Sequence, residues 1–389
     1  MIALVTAAVL TVLALFLPSH SPYLRVFRPS FLLSFFSALG LAVTWSFFGF
    51  EALAERASLL YALGTVAFFM SDYATSALME AHMPDRPVLG SVNALVRAHW
   101  LPYAYLVATV VGTVLLAVIY RQRSSMFNMF ELGTALRYAG QVELPTYGAF
   151  HFLLFTQAIA SVFVLSNRAT LRWIGYGCFA ILLFGSYVSV SRTTMFFNAG
   201  ALAFLLYVRT GRVSVIAIPA AAIVGLTFYY AVFANKNDVG ESSFFYYYVG
   251  YAIYAFNNFI LPIHQWDYGI NSFGSIGALL SGGLVPDDLS LEGTEYNVYT
   301  FIGSPYRDFG MAGVILIPMM FGAIWSFVWN KTGNSAFYVL MYSWMIFPCI
   351  IPFFDWKFSL TSYIYLVPVY LALLNPKLTV VSQPSVRGT

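Results

Sequence analysis

The chain has 389 residues, of which 60% are hydrophobic, 19% aromatic and only 9% charged. A soluble globular domain carries about 25% charged residues, so this composition excludes a soluble enzyme and a solvated scaffold and points to an integral membrane protein. The net charge of +3 marks no nucleic-acid partner. The two cysteines, Cys178 and Cys349, fall inside apolar runs, so they read as buried thiols rather than as a disulfide or a metal set.

Eleven apolar runs follow one another, at about 1–17, 30–50, 57–78, 101–120, 147–165, 170–189, 193–208, 213–233, 310–329, 335–353 and 357–374. They run near 20 residues without alternation, which predicts helices rather than barrel strands. Met1 to Leu17 resembles a signal peptide in length. It lacks a basic flank and a small-x-small cleavage site, so it reads as a first transmembrane helix with its N-terminus outside. With that orientation the inner segments hold eleven Lys and Arg against three acids, and the outer segments eight against thirteen. Positive charge therefore lies inside, as expected of a polytopic membrane protein. The expected organisation is all-α: one integral membrane domain over 1–375, outer loops over 121–146 and 234–309, and an inner tail over 376–389.

The larger outer loop holds the aromatic run Phe244 to Phe256. Tyr and Trp favour the headgroup zone, which predicts a helix lying at or dipping into the outer interface. A full crossing is the other reading, and it needs a second crossing within Ser272 to Leu284.

Arginines on the outer side run against the positive-inside bias, and each needs a reason. Arg192 sits in Val190-Ser191-Arg192-Thr193-Thr194, a tight connection between two apolar runs. Arg121, Arg123 and Arg137 lie in the first outer loop and Arg307 closes the second. Guanidinium groups grip phosphate through planar bidentate bonds, so a group of them at a membrane surface suits a lipid pyrophosphate. Neighbouring acids or ordinary phospholipid headgroups are the simpler partners for Arg121 and Arg123. Arg307 and Asp308 lie where the chain enters an apolar run, and ions at that depth need partners. An interfacial anchor and a functional pair both fit, with Asp308 as the partner that holds Arg307. Gly303, Pro305, Gly310 and Gly313 are expected to break regular helix there.

A general base toward a hydroxyl nucleophile could come from any of the outer acids or from His264. Asp72 lies late in the third run; an intramembrane acid is a functional candidate by default, with Arg97 or water as its expected partner. No His, Asp or Glu grouping has metal-ligand spacing, and no P-loop is present on the inner side, so no metal or other cofactor is expected.

Three stretches together resemble the O-antigen polymerases, the Wzy-type oligosaccharide repeat-unit polymerases. They are Asn297-Val298-Tyr299-Thr300-Phe301 followed by Tyr306-Arg307-Asp308-Phe309-Gly310-Met311-Ala312-Gly313, the Val190–Thr194 connection, and the aromatic Tyr246–Phe256 run followed by Phe273-Gly274. The likeness covers roughly 140–375, and the first four runs match in hydropathy and spacing only.

The resemblance implies an inner-membrane glycosyltransferase with a GT-C-like helical fold, its active site facing the periplasm and its C-terminus cytoplasmic. Such an enzyme moves a growing glycan from undecaprenyl pyrophosphate onto a new lipid-linked repeat unit. Arg192 and Arg307 would hold the pyrophosphates, with Arg137 the next candidate and Arg123 and Arg121 behind it. An outer acid or His264 would take the acceptor proton. Tyr251, Tyr254, Tyr299, Tyr306 and Asn297 would contact glycan or isoprenoid. Implied partners are the lipid-linked donor and acceptor, membrane lipid, a chain-length regulator and a flippase. An O-antigen ligase shares the topology and the donor lipid. A lipid-linked oligosaccharide flippase is the alternative from another class; it needs ions along mid-span, whereas here they gather at the outer rim.

Overall fold

A computed structural model describes residues 1–17, 22–48, 55–81, 157–188, 192–212, 251–262, 269–273, 300–333 and 336–352, with Trp266 and scattered positions between 103 and 114. Among the described residues every element is a helix and no strand occurs. The helices are α1 (Ile2–Phe16), α2 (Pro29–Phe48), α3 (Glu55–Ala81), α4 (Ala169–Val188), α5 (Arg192–Thr210), α6 (Tyr251–Ala255), α7 (Ile270–Phe273), α8 (Thr300–Lys331), α9 (Ala336–Met345) and α10 (Phe347–Ile350). A 3-10 turn covers Pro22–Phe27, and α6 continues as a π-turn over Phe256–Ile260. Pro29–Ser46 and Thr300–Lys331 are long and apolar enough to cross a membrane. The expected runs 213–233 and 357–374, most of 101–120 and 147–156, the loop 121–146 and the tail lie outside the described residues.

Packing divides the chain into two units. Unit 1 combines Met1–Arg86, Ser242–Asn330 and Met345–Tyr363; unit 2 combines Pro87–Glu241, Lys331–Trp344 and Ile364–Thr389.

In unit 1, α1 turns Ala3, Ala7, Leu10 and Ala14 inward and leaves Ile2, Val5, Val9, Val12, Leu13 and Phe16 47–75% exposed. The inner positions recur at helical spacing and are mostly small, so neighbouring backbones approach closely. Leu10 and Ala14 meet Phe69 of α3, and the Ala3 amide, an orphan donor of the first turn, is taken by Ser58 Oγ at 3.0 Å. The outer face carries mostly large apolar groups, an arrangement that water disfavours and hydrocarbon accepts.

Polar groups run the opposite way. Ser30, Ser34, Ser37 and Thr44 of α2 are fully buried, as are Ser58, Thr65 and Ser76 of α3 to within 1%. Tyr61 donates to Ser37 at 2.9 Å, joining α3 to α2. Interhelical bonds of this kind contribute about 0.6 kcal/mol each between membrane helices.

Helices α3 and α8 run parallel. Arg56 meets Tyr306 at one end and Ser76 meets Ser326 at the other, and each pair is 250 residues apart in sequence. The span between the two contacts is about 30 Å of helix, close to the thickness of a bilayer's hydrocarbon core. Glycines allow the approach: a Cβ on Gly322 would overlap Ser71 Oγ and crowd the Phe68 carbonyl oxygen at 2.7 Å, and one on Gly64 would fall 2.6 Å from the Ile302 side chain.

Near the Ser76–Ser326 end of this pair lies a buried ion pair. Arg28 Nε donates to Asp72 Oδ2 at 2.8 Å, with both side chains fully buried. Arg28 Nη2 also reaches Ser76 Oγ at 2.7 Å, and Asn330 Nδ2 donates to the same hydroxyl at 3.0 Å. The Asp72 carboxylate further accepts the Ser30 amide at 3.2 Å. The expected partners, Arg97 or water, are thus replaced by Arg28. Pro29 starts α2 immediately after Arg28, and this turn carries the guanidinium in between the helix ends.

In unit 2, α4 lies on the helical segment 157–165. A Cβ on Gly175 would fall 2.8 Å from the Val164 amide nitrogen. Arg209 of α5 donates to the Ser166 and Val164 carbonyls at 3.0 and 3.3 Å, covering carbonyls that the helix end leaves open. Phe197 packs edge-on to Trp344, and Phe204 to Tyr342, joining α5 to α9.

Candidate functional site

The segment from Thr300 to Gly313 is the best-defined part of the candidate site. It is helical from Thr300, ten residues before the expected run begins. Gly303 and Pro305 lie inside this helix and do not break it. Pro305 forfeits one helical bond, but the turns around it hold. The Phe301 amide, in the first turn, is satisfied by the Pro352 carbonyl at 2.8 Å.

The break comes at Gly310 alone, with φ 60° and ψ −141°. This conformation is open to glycine and strained for other residues. The missing side chain is also used sterically: a Cβ would sit 2.8 Å from Trp266, whose ring lies over the glycine. Gly313 does the second job expected of small residues, since a Cβ there would overlap the Pro305 carbonyl oxygen. The helix thus kinks at Gly310 and folds its two parts closely together at Gly313.

Tyr306, Arg307 and Asp308 occupy the turn just before the kink. Asp308 is fully buried. Its Oδ1 accepts the Asn271 amide at 3.1 Å and Asn271 Nδ2 at 2.8 Å, and its Oδ2 accepts the Ser272 amide. The sequence reading gave this carboxylate to Arg307; the structure spends both oxygens on the amide groups that open α7. Successive helix positions diverge by about 100°, so Asp308 and Arg307 serve different surroundings. Arg307 is half-buried, with Nη1 enclosed in protein.

The Tyr306 ring is wedged edge-on between Phe256 and Trp266, with centroids 5.7 and 5.8 Å away. Its hydroxyl donates to the Leu261 carbonyl and accepts from Arg56 Nη2, both at 3.4 Å. One phenol therefore ties together the start of α3, the end of the π-turn and the first part of α8. The helix preceding it, expected at the interface, is described from Tyr251 to Ile260 and buries Ala252, Ile253, Ala255, Phe256 and Ile260 at 0–1% exposure. Its exposed edge carries Asn258, whose Nδ2 bonds the Tyr254 carbonyl at 3.1 Å. The π-turn widens the helix here, a feature frequent at functional sites.

Arg192 opens α5, with three residues between it and the end of α4, so the connection is as short as expected. A cation in a first turn opposes the helix dipole, and a bound anion would offset this. The side chains of Arg192 and Tyr251 lie outside the described residues, as do Arg121, Arg123, Arg137, His264, Asn297 and Tyr299 entirely. Arg192 belongs to unit 2 and Arg307 to unit 1.

Sequence reasoning missed Arg56, Trp266, Asn271 and Ser272. For Arg56 the signal existed, since the charge count assigns it, like Arg192 and Arg307, to the expected outer side. Trp266 and Asn271 lie tens of residues from Gly310 and Asp308 in a loop without periodicity, so only the folded chain pairs them. Among the described residues no three His, Cys, Asp or Glu side chains gather as a metal site would need. Compared with known proteins, the chain matches no family model, no curated protein and no solved structure.

Proposed function

We propose that this chain is a polysaccharide polymerase of the O-antigen type, an inner-membrane glycosyltransferase with its active site toward the periplasm. A hydroxyl of the acceptor repeat unit attacks the anomeric carbon of the donor glycan. A new C–O bond forms there as the C–O bond to pyrophosphate breaks, and undecaprenyl pyrophosphate leaves with the bonding electron pair. The hydroxyl proton passes to a base drawn from the outer acids or His264. Negative charge grows on the leaving pyrophosphate, and a preplaced guanidinium stabilises that growth without reorganising. Arg307 and Arg192 are assigned this task.

The observation that supports the reading is the mounting of Arg307. Its neighbour Tyr306 is clamped by two rings and two hydrogen bonds, its neighbour Asp308 by three hydrogen bonds, and a glycine kink follows. A phospholipid anchor needs no such fixing, whereas transition-state stabilisation does.

The test is the lipopolysaccharide ladder of cells carrying Arg307→Ala or Arg192→Ala in place of the native protein. Membrane levels stay normal and chains stop at one repeat unit on the core. Full ladders from both variants would overturn the assignment. Core with no repeat unit at all would mark a ligase instead. Polymer formed by pure protein from units presented on one face only would exclude a flippase.

A further inference from the structure

We propose that Arg56 is a further phosphate ligand of this site, gripping the donor pyrophosphate together with Arg307; the inference rests on the reading above. Arg56 is the second residue of α3, and its side chain is exposed. Among the described residues its hydrogen bond runs to the Tyr306 hydroxyl at 3.4 Å, and no acid forms an ion pair with it.

Three physical points favour an anionic ligand. A guanidinium fork has more donors than this single bond uses, so most of its bonding capacity faces outward. Its first-turn position opposes the α3 dipole, a cost that an anion removes. The tether to Tyr306, at 3.4 Å, uses one N–H of the guanidinium and keeps the exposed group beside α8.

The location is specific. Arg56 reaches the hydroxyl of Tyr306, and Arg307 is the next residue on the same helix turn. Arg56 is therefore tied to the residue that precedes Arg307, from a different helix. A pyrophosphate presents two phosphate groups, and a pair of planar forks matches it better than one. The Tyr306 post is held by Phe256, Trp266 and the Leu261 carbonyl, so the Arg56 tether does not depend on ligand.

A phosphate at a membrane surface has two sources, the donor pyrophosphate and bulk phospholipid headgroups. The experiment uses full-length protein in nanodiscs, once with zwitterionic lipid alone and once with added phosphatidylglycerol, fed undecaprenyl-pyrophosphate-linked repeat units. Arg56→Ala raises the donor KM about tenfold or more, as loss of a charge-assisted bond implies, with a smaller change in kcat. Arg56→Lys recovers part of the affinity. Tyr306→Phe keeps the ring packing and raises KM less than Arg56→Ala. Free pyrophosphate inhibits the Arg56→Ala protein more weakly than wild type. Melting temperature and gel filtration check folding, and if Arg56→Ala does not fold, Arg56→Lys and Arg56→Gln carry the comparison.

A wild-type donor KM in Arg56→Ala beside a defective Arg307→Ala overturns the inference and leaves the polymerase reading intact. Wild-type polymerisation by both variants overturns that reading and the inference with it. A defect that appears only with phosphatidylglycerol present assigns Arg56 to a bulk headgroup and also overturns the inference.

Discussion

Arg28 and Asp72 form an ion pair at 2.8 Å with neither side chain exposed to any degree. They come from the turn before α2 and the latter half of α3, and Ser76, Ser326 and Asn330 complete the surrounding bonds. Desolvating two charges offsets most of their attraction, so such a pair specifies an arrangement more than it stabilises one. Breaking it is another matter. Arg28→Ala or Asp72→Ala leaves one buried charge without its partner and should cost about 3–5 kcal/mol. The double replacement Arg28→Met/Asp72→Leu should be markedly more stable than either single change. Thermal unfolding in detergent measures all three; equal melting points for single and double variants would sink this account.

The parallel contact of α3 and α8 depends on glycine. Gly322→Val places two methyl groups where Ser71 and the Phe68 carbonyl already stand, so the helices must part, at a cost of about 1–3 kcal/mol or more. Gly177→Ala is the matched control, because a Cβ there meets nothing within 4 Å. It should be neutral, or stabilising by up to about 1 kcal/mol through helix propensity. Comparable destabilisation of both variants would contradict the close approach.

At the kink, Gly310→Ala faces two penalties: φ of 60° and the Trp266 ring 2.8 Å from the new methyl. The backbone penalty is about 1–3 kcal/mol. Trp266→Ala in the same chain removes the clash and leaves the strain, so the double variant should recover part of the lost stability and polymerisation. Recovery to wild type, or none at all, would show that one of the two penalties is absent.

Asp308 offers a chemical rather than a steric test. Asp308→Asn keeps one acceptor oxygen and turns an amide donor toward an N–H group. Loss of charge-assisted bonds should cost about 1.5–3 kcal/mol. Asn271→Ala removes one of the three bonds and should cost less. Ranking the two by thermal unfolding checks whether the carboxylate caps α7 as described.

The exposed face of α1 tests the surrounding medium. Val9 is 51% exposed near the helix centre. In hydrocarbon, Val9→Lys should lower insertion by about 2.5–3.5 kcal/mol, measurable as the fraction of α1 inserted in microsomes. A water-facing helix would accept the same lysine without effect.

Much of the helical layout was legible in hydropathy. The runs expected at 1–17, 30–50, 57–78, 170–189 and 193–208 correspond to α1 to α5 within about three residues at each end. Long apolar segments have one way to satisfy their backbone in lipid, so the pattern decides the structure. The reading failed at 300–309, where Gly, Pro and charge suggested loop. There the backbone bonds are helical, and the Pro352 carbonyl and neighbouring rings offset weak local propensity.

The sequence by itself determined an apolar, helical chain, because those features follow from composition and period. It also marked Tyr306-Arg307-Asp308 as costly polar groups beside an apolar run. Only the tertiary structure decided their partners. Asp308 went to Asn271 and Ser272, Tyr306 to Arg56 and Leu261, and Asp72 to Arg28. Each contact joins residues 36 to 250 positions apart. A buried polar group takes whichever complementary group the packed helices bring within bonding distance, and local sequence carries no record of that choice.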